Sequence, residues 1–321
     1  MSFSAEHRYY LKLKSAYYYY EKNYTQVKIA EMLDISRITL GKLLCEARDE
    51  GIVKIEITDV RGMRALLDLE VRLQERFGLL QAKVVGCVED ERREITNKLA
   101  IAGARYMETA IRSGMKLGLA WGRTQELLVE YLQKNHSIKN IEVITLLGGA
   151  ASAGANTQPN IIAQRLLEKF DGSAHILNSP FLCQTEELCR ALYSEPQISA
   201  VLERAKTADL TLIGIGETPR SLEDYGIGYS YTQEMLDELK ASGAVGDICA
   251  NFYDINGNIC ETSVSRKIVA IDISELRQHN KVVAVGGGPN KWASVVGALR
   301  GGYVDILITD NFTAEKVLNF S

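Results

Sequence analysis

Apolar positions recur over residues 6–22 at spacings of three and four, with Tyr10, Leu13, Tyr17 and Tyr20 in register. That period predicts a helix with this face turned inward. The consecutive Tyr17, Tyr18, Tyr19 and Tyr20 would crowd both faces of a strand, whereas on a helix some rings pack while others reach outward. A second short helix opens at Thr25, whose hydroxyl suits an N-cap, with Ile29, Ala30 and Leu33 on its inner side. Asp34-Ile35-Ser36 reads as a tight turn, because aspartate tolerates the left-handed conformation better than most residues. Ser36 caps a third helix from Arg37 to about Arg48, with Leu40, Leu43, Leu44 and Ala47 as its buried stripe. After Gly51, residues 53–57 alternate at period two, which predicts a short strand or wing. Helical spacing returns with Leu66, Leu69, Leu73 and Phe77; this helix either zips against its twin or lies on the following domain, and the sequence leaves both open.

From about residue 82 onward short apolar runs alternate with helical patterns. Strands are expected at 83–85, 116–120, 142–147, 210–215, 281–285 and 305–309, with helices such as 161–170 and 292–299 between them. Repeated β-α alternation implies a mainly parallel sheet covered on both faces, hence an α/β fold class. Asn256-Gly257, between 248–254 and 259–261, signals a hairpin added to that sheet. The organisation expected is a helix-turn-helix head over 1–58, a linker or oligomerisation helix over 59–80, and an α/β effector domain over 81–321.

Composition narrows the classes. Among 321 residues, 46% are hydrophobic and 24% charged, the balance of a soluble globular chain. No apolar run reaches the roughly 18–20 residues needed to span a bilayer, and the opening MSFSAEHRYY lacks a signal peptide's apolar core, so a cytoplasmic protein without membrane contact is expected. Six cysteines and four histidines are scattered without CxxC or HExxH spacing, so neither a disulfide framework nor a metal site is expected. Net charge is −4, and the first sixty residues hold nine cations and nine anions. Any affinity for nucleic acid must come from where those cations sit, and from more than one copy of the module.

Within 24–44 the residues describe a first helix with small Ala30 at the crossing point, a tight turn, and a capped second helix whose front is polar or cationic. A front of that kind at a helix N-terminus can reach base edges in a major groove. Thr25, Gln26, Ser36, Arg37, Thr39 and Lys42 are the candidate DNA-contacting residues.

Four glycine-bearing turns each follow an expected strand. They offer Trp121, Gly122, Arg123 and Thr124; then Gly148, Gly149 and Asn156; then Gly214 and Gly216; and last Gly286, Gly287, Gly288, Asn290 and Lys291. In open α/β sheets ligands sit beyond the carboxyl ends of strands, where helix N-termini present free N–H groups to anions. Lys291 adds a positive charge where the last such helix begins, so a phosphate site is expected. Neither GxxxxGK[ST] nor GxGxxG with its later acidic residue is present, which disfavours ATP and NAD; no cofactor is expected.

These motifs together resemble the SorC family of bacterial regulators. The resemblance rests on Tyr24-Thr-Gln, the Leu-Asp-Ile-Ser-Arg that ends at Arg37, Gly51-Ile-Val, Trp121-Gly-Arg-Thr, Leu147-Gly-Gly, Ala244-Val-Gly-Asp-Ile-Cys, Phe252-Tyr-Asp-Ile-Asn-Gly and the block from Gly301 to Asp310. It implies a winged-helix-like head, a sugar-binding domain related to sugar-phosphate isomerases and deaminases, assembly as dimers or tetramers, and a phosphosugar effector. It also implies pocket roles for Asp247 and Lys291. Asp34 stands where the family usually has glycine, and Gly41-Lys42 where Ser-Arg is common, which bears on the operator sequence. The expected function is a DNA-binding regulator, a repressor of a sugar or deoxyribonucleoside operon under a sugar or sugar-phosphate effector. An enzyme of the isomerase/deaminase type is the alternative; it would need an acid/base pair, for which Asp247 and Glu217 are available, and would have no use for the first 57 residues.

Overall fold

A computed structural model describes residues 5–59, 61–150, 157–218, 231–279 and 281–320. The chain divides into two compact units, residues 1–62 and 63–321.

The smaller unit is helical: α1 (Ala5–Ala16), α2 (Gln26–Leu33) and α3 (Arg37–Asp49), with a wider π turn at Tyr17–Glu21 after α1. Its core is Ala16, Ile29, Ala30, Leu40, Leu44 and Ala47. The cap and turn chemistry matches expectation: the Thr25 hydroxyl accepts from the Lys28 N–H, Asp34 is left-handed at φ 51° and ψ 47°, and the Ser36 hydroxyl accepts from the Thr39 N–H at 3.0 Å. Two expectations are corrected. Tyr10, Leu13 and Tyr17 lie on the exposed face of their helical run, and the buried positions of α1 are Leu11, Lys12, Ser15 and Ala16. Lys12 is tolerated inside because its ammonium pairs with the Glu50 carboxylate. The alternation at 53–57 forms no strand: residues 54–59 are exposed and have no ladder partner among the described residues, and a strand without a partner leaves its backbone to water.

The larger unit begins with α4 (Arg64–Phe77), whose Leu69 and Leu73 are buried in its core, so this helix lies on the domain that follows it. Next come β1 (Gln81–Val85), α5 (Arg92–Ala110), β2 (Lys116–Leu119), α6 (Arg123–Tyr131), β3 (Ile141–Thr145), α7 (Pro159–Leu167), β4 (Gly172–His175), α8 (Glu186–Ser194) and α9 (Pro196–Ala205). The unit continues with β5 (Leu210–Gly214), β6 (Gly216–Glu217), α10 (Gln233–Ala241), β7 (Ala244–Ile248), β8 (Asn251–Asp254), α11 (Ile273–His279), β9 (Lys281–Val285), α12 (Trp292–Arg300), β10 (Ile306–Asp310) and α13 (Asn311–Asn319).

Seven strands form a wholly parallel sheet in the order β1-β10-β9-β5-β2-β3-β4. The central strands feed both faces: on β9, Val282 and Ala284 join one core while Val283 and Val285 join the other, and on β10 Leu307 opposes Ile306 and Ile308. The chain runs outward from β2 through β3 to β4, then returns to place β5 on the other side of β2. The β2/β5 boundary is therefore a topological switch point, where open α/β sheets leave a crevice beyond their strand ends.

The hairpin differs from expectation. The Asn256-Gly257 turn forms, with Gly257 at φ 84°, but the chain beyond it makes only an isolated bridge from Ile259 to Tyr253. The hairpin proper joins β7 to β8 through Cys249 and Ala250, both left-handed at φ 52° and 60° without glycine. With β6 these strands make a separate three-stranded sheet, which is not part of the parallel one.

Candidate functional site

In the helical unit, Arg37 and Lys42 are exposed on α3, and Ile38 between them is 76% exposed. The Ser36 and Thr39 hydroxyls hydrogen-bond one another at 2.8 Å, so both are engaged in capping, with Ser36 exposed and Thr39 half-buried. Thr25 is exposed and Gln26 half-buried at the start of α2. The near-neutral charge of this unit hides a separation. Glu46 pairs with Arg8 and Glu50 with Lys12, whereas Lys14, Lys22, Lys28, Arg37, Lys42 and Lys54 form no ion pair with a carboxylate among the described residues. Three of these lysines lie over tyrosine rings, closest for Lys28 over Tyr24 at 3.8 Å. Sequence reasoning missed Ile38, an apolar group on the same front able to meet a thymine methyl; the rule that buries isoleucine hid it.

In the larger unit a cavity of about 290 Å³ opens at the β2/β5 switch point. Trp121, Gly122, Arg123 and Thr124 line it after β2, Gly214 at the end of β5, Gly216 on β6, and Gly286, Gly287, Gly288 and Lys291 after β9; Asp247 enters from β7 of the small sheet. Fifteen sequence-derived candidates were spread over five segments, and these eleven converge on one cavity. Four do not. Gly148 and Gly149 bridge to a neighbouring segment: their N–H groups donate to Val269 O at 3.0 Å and Ser179 O at 2.9 Å, and a Cβ on Gly148 would crowd the Ser179 and Pro180 main chain. Asn290 is exposed outside the cavity, and Asn156 lies outside the described residues.

Helix α6 begins at the cavity with its first N–H groups uncapped. Gly122 precedes it at φ 134° with no side-chain cap, and the first helical bond runs from the Glu126 N–H to Gly122 O at 3.0 Å. The N–H groups of Arg123, Thr124 and Gln125 thus lack helical acceptors, and all three residues line the cavity. Gln125, absent from the sequence-derived set, is 2% exposed, and its Nε2 has no hydrogen-bond partner; neither has the buried Nε1 of Trp121. A buried donor without an acceptor costs about 1–3 kcal/mol, so two at one cavity mark where a polar ligand would be satisfied.

The glycine turn after β9 is less available to an anion than its composition suggests. The Gly286 N–H donates to Ile308 O at 3.0 Å, and the Gly288 N–H to the buried Asp310 carboxylate at 2.9 Å and the Thr313 hydroxyl at 3.0 Å. Gly286 is there for close packing, since a Cβ would meet the Ile215 Cβ at 2.9 Å, and Gly288 for its φ of 119°, leaving Gly287 as the glycine of the turn whose N–H has no partner among the described residues.

Elsewhere on the cavity lining carboxylates stand beside cations, Asp247 near Lys291 and Glu217 near Arg92. The Asp247 carboxylate accepts from the Ala250 N–H at 3.0 Å, in the turn that the left-handed Cys249 and Ala250 create, and a Cβ on Gly216 would overlap its other oxygen. Burial pushes the Asp247 carboxyl above its usual range, opposed by the Ala250 N–H and the Lys291 ammonium. Burial lowers the Lys291 ammonium in turn, opposed by Glu217 and Asp247; its Nζ donates to Ile215 O. Glu217 pairs with Arg92 at 3.3 Å, and both line the cavity. Trp121, Phe181, Tyr231 and Phe252 form an aromatic wall with successive ring centroids 5.8, 6.2 and 6.4 Å apart. Phe181 and Tyr231 come from separate segments with no motif around them, so only the fold brings them to Trp121 and Phe252.

Comparison with known proteins bears on this arrangement. Residues 62–319 match the family model described as "Putative sugar-binding domain". The chain is 32% identical over 310 residues to the deoxyribonucleoside regulator of Bacillus subtilis, covering 96% of this chain and 97% of that one. It is 30% identical over 312 residues to the sorbitol operon regulator of Klebsiella pneumoniae, covering 96% and 97%. Among solved structures, the full-length sorbitol operon regulator SorC from Klebsiella pneumoniae aligns with a TM-score of 0.74 and 28% identity, over 98% of this chain and 100% of that one. A DeoR family transcriptional regulator from Listeria monocytogenes aligns with a TM-score of 0.72 and 29% identity, over 79% and 99%.

Proposed function

Because this chain belongs to the sugar-binding-domain family of SorC-type transcriptional regulators, we propose that it is a DNA-binding regulator, a repressor of a sugar or deoxyribonucleoside operon. Its operator affinity is set by a small sugar or sugar phosphate. The observation that carries this reading is the pair of partnerless buried donors, Gln125 Nε2 and Trp121 Nε1, beside the uncapped N-terminus of α6. The phosphate takes the Arg123, Thr124 and Gln125 N–H groups, with the Arg123 guanidinium near by. The hydroxyls take Asp247, Lys291 and the Gln125 amide, and the aromatic wall covers the apolar face of the sugar.

Arg37, Ile38 and Lys42 read the major groove, with Thr25 and Gln26 toward the backbone. A single head offers few cations, so the protein works as a homo-oligomer, two heads contacting an imperfect palindrome at high effective concentration. No helix among the described residues is long and apolar enough to cross a membrane, which accords with a cytoplasmic regulator.

The test is an operator-binding titration with a panel of sugar phosphates and their dephosphorylated forms. A shift in operator affinity with a phosphosugar, lost in Arg123→Ala and weak for the free sugar, is expected. Operator binding indifferent to every sugar phosphate that raises the thermal midpoint overturns the link between cavity and head. The second reading, an isomerase or deaminase, draws on the opposed titration shifts of Asp247 and Lys291. Turnover of a bound sugar phosphate, abolished in Asp247→Asn, would favour it.

A further inference from the structure

Helix α13 is fastened at both ends, and the fastenings lead to different parts of the larger unit. At its start the fully buried Asp310 carboxylate accepts the Thr313 N–H at 2.9 Å and the Thr313 hydroxyl at 2.7 Å. The same carboxylate and the same hydroxyl take the Gly288 N–H, at 2.9 and 3.0 Å. Farther along α13 the Lys316 ammonium, which also pairs with Asp90, donates to Pro289 O at 3.3 Å. Gly288 and Pro289 both line the cavity, next to Gly287 with its unpartnered N–H.

At the far end the Arg76 guanidinium of α4 donates to Leu318 O at 2.6 Å and to Phe320 O. These are carbonyls that the ending helix leaves without N–H partners, and a cation there suits the helix dipole. Between its ends α13 packs Ala314, Val317 and Leu318 into the core that also holds Leu69 and Leu73 of α4. Its nine residues span about 13 Å at 1.5 Å per residue, and close packing makes such a helix shift as a body. Helix α13 is thus a strut between the cavity wall and α4. Helix α4 is in turn the first element after residue 62, where the chain leaves the helical unit.

We propose that α13 transmits the state of the effector cavity to α4, with Lys316 as the positioning residue on its cavity side and Arg76 on its α4 side. A ligand that takes the Gly287 N–H draws on a turn whose next two residues are tied to α13. Arg76 passes the displacement to the helix that follows the head in the chain. This rests on the effector-controlled reading above and names the route of its regulation. The response is bounded by the ligand's differential affinity for the two arrangements.

Two titrations of the full chain test the route. Operator affinity is measured with and without each of a panel of pentose 5-phosphates and hexose 6-phosphates. The affinity of the DNA-free protein for the responding sugar phosphate is measured by calorimetry. Arg76→Met and Lys316→Met should keep the ligand affinity and the ligand-free operator affinity close to those of the parent. The ratio of operator affinities with and without ligand should fall about fivefold or more in each. Arg76→Lys, which retains a donor, should lie between. Lys98→Met, which cuts a side-chain bond from α5 to Gly86 O, should leave the ratio unchanged. An unchanged ratio in Arg76→Met or in Lys316→Met overturns the α13 route and leaves the effector reading standing. Loss of ligand affinity in step with the ratio overturns it as well, because these residues would then shape the cavity and not relay from it. A parent whose operator affinity ignores every sugar phosphate of the panel overturns both.

Discussion

The Glu70 carboxylate on α4 accepts the main-chain N–H of Val84 on β1 at 2.9 Å, and the same oxygen lies 3.0 Å from the Lys83 ammonium. Strand β1 is an edge of the parallel sheet, hydrogen-bonded to β10 on one side. Glu70, 9% exposed, thus stops an edge donor that would otherwise be buried without an acceptor or offered to another chain. Glu70→Ala should cost about 1–3 kcal/mol in urea unfolding, and Glu70→Gln, which keeps an acceptor, less. Equal losses for the two variants would show that packing and not the hydrogen bond is responsible.

Gln125 offers a test in which stability and binding move in opposite directions. Its Nε2 is buried without a partner in the ligand-free protein. Gln125→Leu should therefore hold or raise the thermal midpoint while weakening sugar-phosphate binding about tenfold, the worth of one good hydrogen bond. A variant that is less stable and binds as tightly as the parent contradicts the role given to this amide.

Arg37→Ala and Lys42→Ala separate base from phosphate contact. Loss of a base contact should cost about 1–3 kcal/mol and relax sequence preference, whereas loss of a phosphate contact should weaken all sequences alike and reduce the salt dependence by about one ion. Operator titrations at several salt concentrations decide; if both variants match the parent, α3 does not enter the groove as assigned.

The lowered Lys291 ammonium gives a pH signature. Below its folded pKa both states carry the charge, and the folded state bears the whole cost of burying it. Between that pKa and the ordinary 10.5 the folded state releases its proton first, so the cost falls as pH rises. The parent should therefore gain stability relative to Lys291→Met as pH climbs from neutral toward 10.5. Thermal midpoints of the two, measured in parallel across this window, check the sign; a parent that loses ground with rising pH contradicts it.

Local chemistry was the legible part of this sequence. Thr25, Asp34 and Ser36 act on their own backbone, and the expected strands were bounded by turns and rich in β-branched residues, so short-range rules reach them. What needed a partner elsewhere was not legible. Tyr10 and Leu13 have helical spacing but lie opposite the face that Lys12 and Ser15 bury against α3. Residues 53–57 have strand alternation and no neighbouring strand. The glycines at 148, 286 and 288 looked like ligand cradles, yet their N–H groups meet Val269, Ile308 and Asp310. Gln125 carried no motif, and only the return of β5 beside β2 showed that its amide faces a cavity.

The bare amides of Arg123, Thr124 and Gln125 have an evolutionary corollary. Main-chain donors survive almost any replacement of the side chains attached to them, proline excepted. A grip made of them is inherited intact while neighbouring residues drift. On the proposed phosphate site, relatives can then exchange one effector for another by altering the walls proposed to meet the hydroxyls, keeping the anchor throughout. Such a cavity is robust where it holds and plastic where it discriminates, and a lineage can acquire new regulatory inputs without passing through a form that binds nothing.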